Sequence, residues 1–280
     1  HCRRILEPRR SADSGVLAVR LSQETVEEFH RDGFVRRLGL LESGELQELR
    51  TAVDEIRCNL DVYADRLYEV EQAYTENPDE VVCHFLGSWL LKDVIRNLVF
   101  DRRVTEPLAQ LLGVESLRFW HDQVFYKPPR HRGVVPWHQD YSYWQRTVPA
   151  QHISIFLALE DADEANGCLQ YVPGSHRWGL LPPVPFDSQI DDLHASLSED
   201  QVAEFKPVPI ELAAGEASIH HSHTIHGSNQ NHSDRSRCGL VLNYMAADTR
   251  SASDEPLLKH VPAVASGSII DGAHFPIVLG

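Results

Sequence analysis

Leu117-Arg118-Phe119-Trp120-His121-Asp122-Gln123-Val124-Phe125-Tyr126 is where the chain changes period. Leu117, Phe119, His121, Gln123 and Phe125 alternate with Arg118, Trp120, Asp122, Val124 and Tyr126. That two-residue repeat belongs to a strand whose two faces meet different surroundings. Downstream the pattern returns: Ile153, Ile155, Leu157 and Leu159 alternate with His152, Ser154, Phe156 and Ala158. Further short strands are expected at 168–172, 207–212, 217–225 and 238–246, separated by Gly and Pro turns. Many short strands with such turns predict a barrel or sandwich.

Upstream the spacing is helical. Ser22 reads as an N-cap, Val26 and Phe29 fall three apart, and Gly33 stops that helix. Phe34 and Val35 suit a short strand. Ser43 reads as a second N-cap, followed by Leu46, Leu49, Val53, Ile56 and Leu60 at steps of three and four, a stripe expected to run to about residue 70. Residues 88–112 read as two more helices, interrupted near Asp101 and closed by Gly113. Helices first and strands later predict an α+β chain, mainly β, with helices packed on one side of a β core. We expect a single domain over residues 16–280, preceded by a flexible, arginine-bearing arm over 1–15. Residues 182–206, rich in Pro and then acidic, read as an insertion and a lid candidate.

The composition narrows the function. The net charge of −15, from 41 acidic and 26 basic residues, disfavours nucleic-acid and anionic-membrane partners, which need basic patches. Five scattered cysteines form no CxxC pair, and no apolar run reaches membrane-spanning length. A cytoplasmic protein acting on a small molecule is the expectation.

Pro136-Trp137-His138-Gln139-Asp140 follows the decisive strand. In an extended segment His138 and Asp140 would share a face and could hold one ion between imidazole and carboxylate. A third ligand is expected from Thr224-Ile225-His226-Gly227-Ser228, where His226 stands at a strand end opening into a turn; His223 is the reserve. On one strand His220 would share the face of His226, and His221 that of His223. Pocket lining or a hydrogen-bonded core is the ordinary role for His220, His221 and His223. Two histidines and one carboxylate leave one side of an ion open, the donor set of non-haem Fe(II) sites. Further on, Arg235 and Arg237 flank Ser236, and either could hold a carboxylate through two parallel hydrogen bonds.

Taken together, Pro-Trp-His138-Gln-Asp140, Asn166-Gly-Cys-Leu, Val-Pro173-Gly-Ser-His-Arg, His226-Gly-Ser-x-x-Asn231 and Arg237 resemble the phytanoyl-CoA dioxygenase family of Fe(II)/2-oxoglutarate oxygenases. Glu28-Phe-His-Arg-Asp-Gly-Phe resembles that family's first helix and strand, and the likeness covers roughly residues 22–246.

The resemblance implies a double-stranded β-helix, the cupin-like jelly roll, with Fe(II) on His138, Asp140 and His226. It implies 2-oxoglutarate as cosubstrate and O2 as oxidant, with succinate and CO2 released. Arg237 would pair with the distal carboxylate, helped by the Ser228 hydroxyl, the family's usual interval favouring Arg237 over Arg235. Gln123 and Lys127 would reach the same cosubstrate, and Phe156 takes the place of an aromatic beside it. Related halogenases carry a small residue where Asp140 stands, so Asp140 implies hydroxylation or a kindred oxidation. Tyr141, Tyr143, Trp144 and Arg146 follow the metal motif as candidate substrate contacts, and aromatic walls favour an apolar or ring-containing natural product. The alternatives are a metal-binding jelly roll without redox catalysis and a metal-dependent hydrolase.

Overall fold

Residue Arg237 opens the long strand Arg237–Ala246, which lies between Leu117–Lys127 and His152–Ala158 at the centre of the larger of two facing sheets. The computed structural model describes residues 7–10 and 17–280. Across the large sheet the order runs Phe34–Gly39, Glu216–His221, His152–Ala158, Arg237–Ala246, Leu117–Lys127, Cys83–Leu86, Glu69–Val70. The smaller sheet runs Val208–Pro209, Leu169–Tyr171, His226–Ser228, Val135–His138. All pairings are antiparallel, and the two sheets form the expected jelly roll.

The period-two reading explains which side chains look inward. From Arg237, the residues Gly239, Val241 and Asn243 share a face, and so do Ser154, Phe156 and Ala158 on the neighbouring strand. Phe34, Phe156, Leu169, Tyr171 and Val241 pack between the sheets. Ile153, Ile155, Leu157, Leu240 and Leu242 point outward into the larger core beneath the helices. The alternation of the Leu117–Lys127 strand holds from His121 onward. It breaks at Trp120, where the register slips against Asn243 and Tyr244. A bulge inserts one extra residue and turns the end of a strand, so Phe119 and Trp120 both join the helix-side core.

The helix Gln23–Asp32 is capped by Ser22, whose side chain accepts from Thr25 N, and ends at a left-handed Gly33, as expected. The helix Ser43–Arg57 corrects two expectations. Its cap is Glu42, in a reciprocal capping box with Glu45, and Ser43 is the first helical residue. It stops at Arg57, well short of residue 70, because the Asn59 amide bonds back to the Glu55 carbonyl at 2.7 Å and competes with helix continuation. Only short turns follow, over Leu60–Tyr63 and Ala64–Arg66. The stripe itself is right: Leu49, Val53 and Ile56 are buried in the main core, each stabilising the fold by about 1.5–3 kcal/mol. Asp93–Val99 and Arg102–Leu112 are the two expected helices, broken at Asp101, which caps the second through Arg103 N.

The strand expected over 217–225 ends at His221. Thr224 N bonds His221 O and His223 N bonds the His221 imidazole, which closes a turn before a new strand begins at His226. His220 and His226 therefore lie on different sheets. Of the expected N-terminal arm, Glu7–Arg10 is a strand paired with Leu17–Arg20, and the remainder of 1–15 lies outside the described residues. Residues 188–206 pack on the outside of the small sheet. Leu193 is buried beside Trp137 and Ile225, and Trp137 N and Nε1 bond Ile190 O and Asp191. Only the Pro183–Asp187 end reaches the barrel mouth. The last segment returns as Ile277–Leu279 along Leu117–Arg118, with Phe275 stacked on Trp120 at 5.3 Å. Among the described residues no helix is long and apolar enough to cross a membrane.

Candidate active site

His138 is the last residue of the strand Val135–His138, and Asp140 is the first of a 3-10 helix, Asp140–Tyr143. Gln139 between them is extended, so His138 and Asp140 share a face as the spacing implied, and the 3-10 turn begins at the carboxylate. His226 starts the adjacent strand, directly opposite His138. One ligand atom from each of His138, Asp140 and His226 lies within 4.8 Å of the others. Both histidines place Nε2 3.6 Å from Asp140 Oδ1.

The tautomers follow from the backbone. His138 Nδ1 donates to Pro136 O at 2.7 Å, and His226 Nδ1 donates to Thr224 O at 3.0 Å. Each Nε2 is left with its lone pair towards the shared centre, the state a metal ligand needs. Asp140 Oδ2 accepts from Ser154 Oγ at 2.7 Å and from His220 Nε2 at 3.0 Å, which leaves Oδ1 to the centre. Burial opposes ionisation of Asp140, yet its carboxyl is held well below the usual range, and with both ligand histidines neutral the donors that remain to it are His220 Nε2 and Ser154 Oγ. Burial lowers His226 well below an ordinary histidine, so it stays neutral. The group fits a divalent ion that accepts two imidazoles and one carboxylate on one side.

An inner cavity of about 40 Å³ runs from the triad to Arg237, past Phe156 and Val241. Arg237 is 1% exposed, and its Nε, Nη1 and Nη2 have no hydrogen-bond partner among the described residues. Its guanidinium lies 4.8 Å from the Phe156 ring. Three orphaned donors at the bottom of a pocket fit a carboxylate. Arg235 points elsewhere, pairing with Asp163 at the surface. Phe156 needs Gly239 beneath it, since a Cβ there would meet the ring at 2.2 Å.

Lys127 and Ser228 form a buried brace. Lys127 Nζ bonds Ser228 Oγ at 2.6 Å, Ser228 O at 3.2 Å and Asn229 O, while Ser228 Oγ donates to Gly167 O at 2.8 Å. Neither lines the inner cavity. Gln123 does, with its Oε1 held 2.9 Å from His84 Nε2. Gln139, between the two ligands, faces away and pins Gly179, Leu181 and His223 through their backbones.

An outer cavity of about 210 Å³ opens from the triad towards solvent. Of the four expected substrate contacts, Tyr143 and Trp144 line it. Tyr141 and Arg146 do not: Tyr141 stacks on His223 and bonds Thr147 O, and Arg146 holds the Pro256 and Leu257 carbonyls. The reason is the 3-10 turn, in which positions three apart eclipse, so Tyr143 joins the side of Asp140, with Trp144 next to it, while Tyr141 turns away. Sequence reading missed His84, Glu69, Glu71, His121 and Phe186 in this wall. Glu69, Glu71 and His84 sit on or beside short segments that no spacing ties to the motif, whereas His121 shares a face of the long strand with Gln123, a period-two signal that could have found it, and Phe186 lies within the insertion. His84 is sandwiched between Phe125 at 4.4 Å and Phe186 at 4.9 Å. His223 stays outside the triad.

A model of the family Phytanoyl-CoA dioxygenase (PhyH) matches residues 29–239. The chain belongs to the phytanoyl-CoA dioxygenase family. It is thereby an enzyme of the Fe(II)/2-oxoglutarate-dependent dioxygenase class. Among this family member's relatives is a probable alpha-ketoglutarate-dependent hypophosphite dioxygenase of Stutzerimonas stutzeri, 30% identical over 56% of this chain and 54% of that protein, so the match spans about half of that relative's length. The ectoine dioxygenase of Bordetella parapertussis is 27% identical over 82% of this chain and 77% of its own. Among solved structures, the non-heme alpha ketoglutarate dependent carbocyclase SnoK from nogalamycin biosynthesis matches with a TM-score of 0.73 at 22% identity, covering 92% of this chain and 96% of that one. That likeness establishes the fold.

Proposed function

We propose that this chain oxidises, most simply by hydroxylation, a small organic molecule held in the outer cavity, with His138, Asp140 and His226 as the Fe(II) ligands and Arg237 as the anchor of 2-oxoglutarate. The observation that carries the reading is the inner cavity, with the three ligand atoms at one end and the orphaned Arg237 guanidinium at the other. Bound Fe(II) supplies the redox chemistry by which O2 and 2-oxoglutarate oxidise a substrate C–H bond, releasing succinate and CO2. The chain's own part is placement. Arg237 takes the distal carboxylate in a bidentate pair. Phe156 and Val241 wall that cosubstrate against water, and Gly239 gives the Phe156 ring its room. Lys127 acts at one remove, fixing Ser228 and the turn after His226. Tyr143, Trp144 and Phe186 shape the substrate side.

The named relatives act on small molecules, which supports a small-molecule substrate here. Cys58, Cys83, Cys168 and Cys238 are all free, in keeping with a reducing, cytoplasmic setting that would also keep iron as Fe(II). The test is succinate release from 2-oxoglutarate with Fe(II) and O2, beside His138→Ala, Asp140→Ala and His226→Ala. Each variant should abolish turnover and weaken metal binding. Full activity with Zn²⁺ in place of iron would replace this reading with hydrolysis.

A further inference from the structure

The outer cavity has acidic and aromatic walls and no cationic one. Glu69 and Glu71 line it, Asp140 lies at its floor, and among the described residues no lysine or arginine lines it; Lys259 acts on Glu69 from outside that lining. Its two further histidines are neutral. Burial pulls His84 down to about 4 and His121 to about 3. His84 is 8% exposed, and with Nε2 engaged by Gln123 its Nδ1 is buried without a hydrogen-bond partner. That nitrogen lies 4.0 Å from Glu71 Oε2, too far for a hydrogen bond. Glu71 Oε1 accepts from Ala73 N at 3.1 Å, which fixes the carboxylate towards the cavity. The groove just outside continues the charge with Glu71, Glu76 and Asp187 beside Tyr143 and Phe186.

A lone pair and a carboxylate that face one space without a donor between them call for a donor from the ligand. Aromatic rings around the same space favour positive charge as well. A carboxylate, phosphate or thioester-linked nucleotide would meet the like charge of Glu69 and Glu71 on the wall itself. We propose that the substrate of this site carries a protonated amine, which sits between Glu71 and His84 Nδ1 while its carbon skeleton lies against Trp144 and Tyr143, towards the triad. This rests on the outer cavity being the substrate side of the proposed oxygenase. It excludes organic-anion substrates and makes Glu71 a specificity-determining residue.

Three isosteric probes test it: cyclohexylmethylamine, cyclohexylmethanol and cyclohexanecarboxylate, titrated into the full chain loaded with Ni²⁺ and 2-oxoglutarate. Binding is read by Trp144 fluorescence against a Trp144→Phe control, and by calorimetry. The amine should bind at least about ten-fold tighter than the alcohol, and the carboxylate weakest. Glu71→Gln keeps the oxygen that accepts from Ala73 N and should erase the preference for the amine, while the calorimetric affinity for 2-oxoglutarate stays the same. Glu69→Gln, at an exposed position, should reduce the preference in the same direction. Equal binding of amine and alcohol, tighter binding of the carboxylate, no binding of any probe, or an undiminished preference in Glu71→Gln overturns the assignment. A chain that prefers the amine yet binds no 2-oxoglutarate would sink the oxygenase reading alone.

Discussion

His220 Nε2 donates to Asp140 Oδ2 across 3.0 Å, while His138 and His226 face the other carboxylate oxygen. The imidazole is itself oriented: Tyr171 OH lies 3.0 Å from His220 Nδ1 and 2.9 Å from Ser218 Oγ. With Nε2 donating, Nδ1 must accept from the tyrosine, and the tyrosine oxygen from the serine. A chain of hydrogen bonds thus runs from one sheet to the other and ends on the carboxylate of the triad. Such outer partners fix a ligand's rotation and basicity.

His220→Ala is therefore expected to weaken metal binding by about 10- to 100-fold while the fold survives. His220→Gln, which can still donate to Oδ2, should recover part of the loss. Calorimetry with Fe²⁺ under argon reads this directly, and a merely structural role for His220 would leave the metal constant unmoved in both variants.

Arg237→Lys keeps the charge but removes the fork. A lysine cannot make two parallel bonds to one carboxylate, so the 2-oxoglutarate requirement should rise, by about 10-fold or more. Arg235→Lys, placed in a surface ion pair with Asp163, should change it little, since exposed pairs contribute at most about 1 kcal/mol. Similar, small effects at both positions would remove the anchor from Arg237.

Gly239→Ala tests the aromatic wall from behind. The added methyl meets Phe156 Cε2 and Cζ at 2.2 and 2.3 Å, so the ring must move into the inner cavity. We expect weaker 2-oxoglutarate binding with stability reduced by about 1–3 kcal/mol, as for other overpacked cores. Adding Phe156→Leu should restore much of both. If the double variant is as impaired as the single one, the ring is not what Gly239 makes room for.

Much of this was legible in the sequence, and the failures share a cause. The ligand types, their order and the inward row beginning at Arg237 follow from residue identity and a period of two, which backbone geometry fixes. What the sequence could not supply was where strands stop. The turn at Ser222–Ile225 moves His226 to a different sheet from His220, and the 3-10 turn after Asp140 sends Tyr141 and Arg146 away while keeping Tyr143. His84 and Glu71 come from a short edge region whose position depends on sheet order, a long-range property that local patterns do not encode.

The buried histidines set a pH dependence of stability. Burial holds His84 at about 4 and both His121 and His152 at about 3 in the folded protein, against an ordinary value near 6.5. Folded values below unfolded ones mean that the unfolded chain takes up protons first. Stability is then full above about pH 6.5 and falls as pH drops towards 4, by about 1.4 kcal/mol per pH unit for each such group. Urea unfolding of the metal-free chain should show a steep loss between about pH 6.5 and 5. His152→Gln, at a fully buried position, should flatten that slope; an unchanged slope would place the proton uptake elsewhere.

The insertion over residues 182–206 divides into an anchored part and an end that can act as a cover. Leu193 is buried against the small sheet, and Ile190 and Asp191 are bonded to Trp137, so residues 188–206 have a packed face to lose on opening. The Pro183–Asp187 end is held differently. Phe186 stacks on His84, and Val184 O accepts from Tyr143 OH, both on the wall of the outer cavity. We propose that this end alone moves, released and reseated by those two contacts, so that substrate is enclosed and water excluded before oxidation. Hydrogen exchange should show residues 188–206 protected with or without ligand, and residues 183–187 gaining protection when an amine probe binds. Phe186→Ala should abolish that gain and raise 2-oxoglutarate consumption uncoupled from substrate oxidation. Exchange that changes across the whole 182–206 segment would mean the sheet-packed part opens too, and exchange that changes only outside it would assign closure to another rim of the barrel.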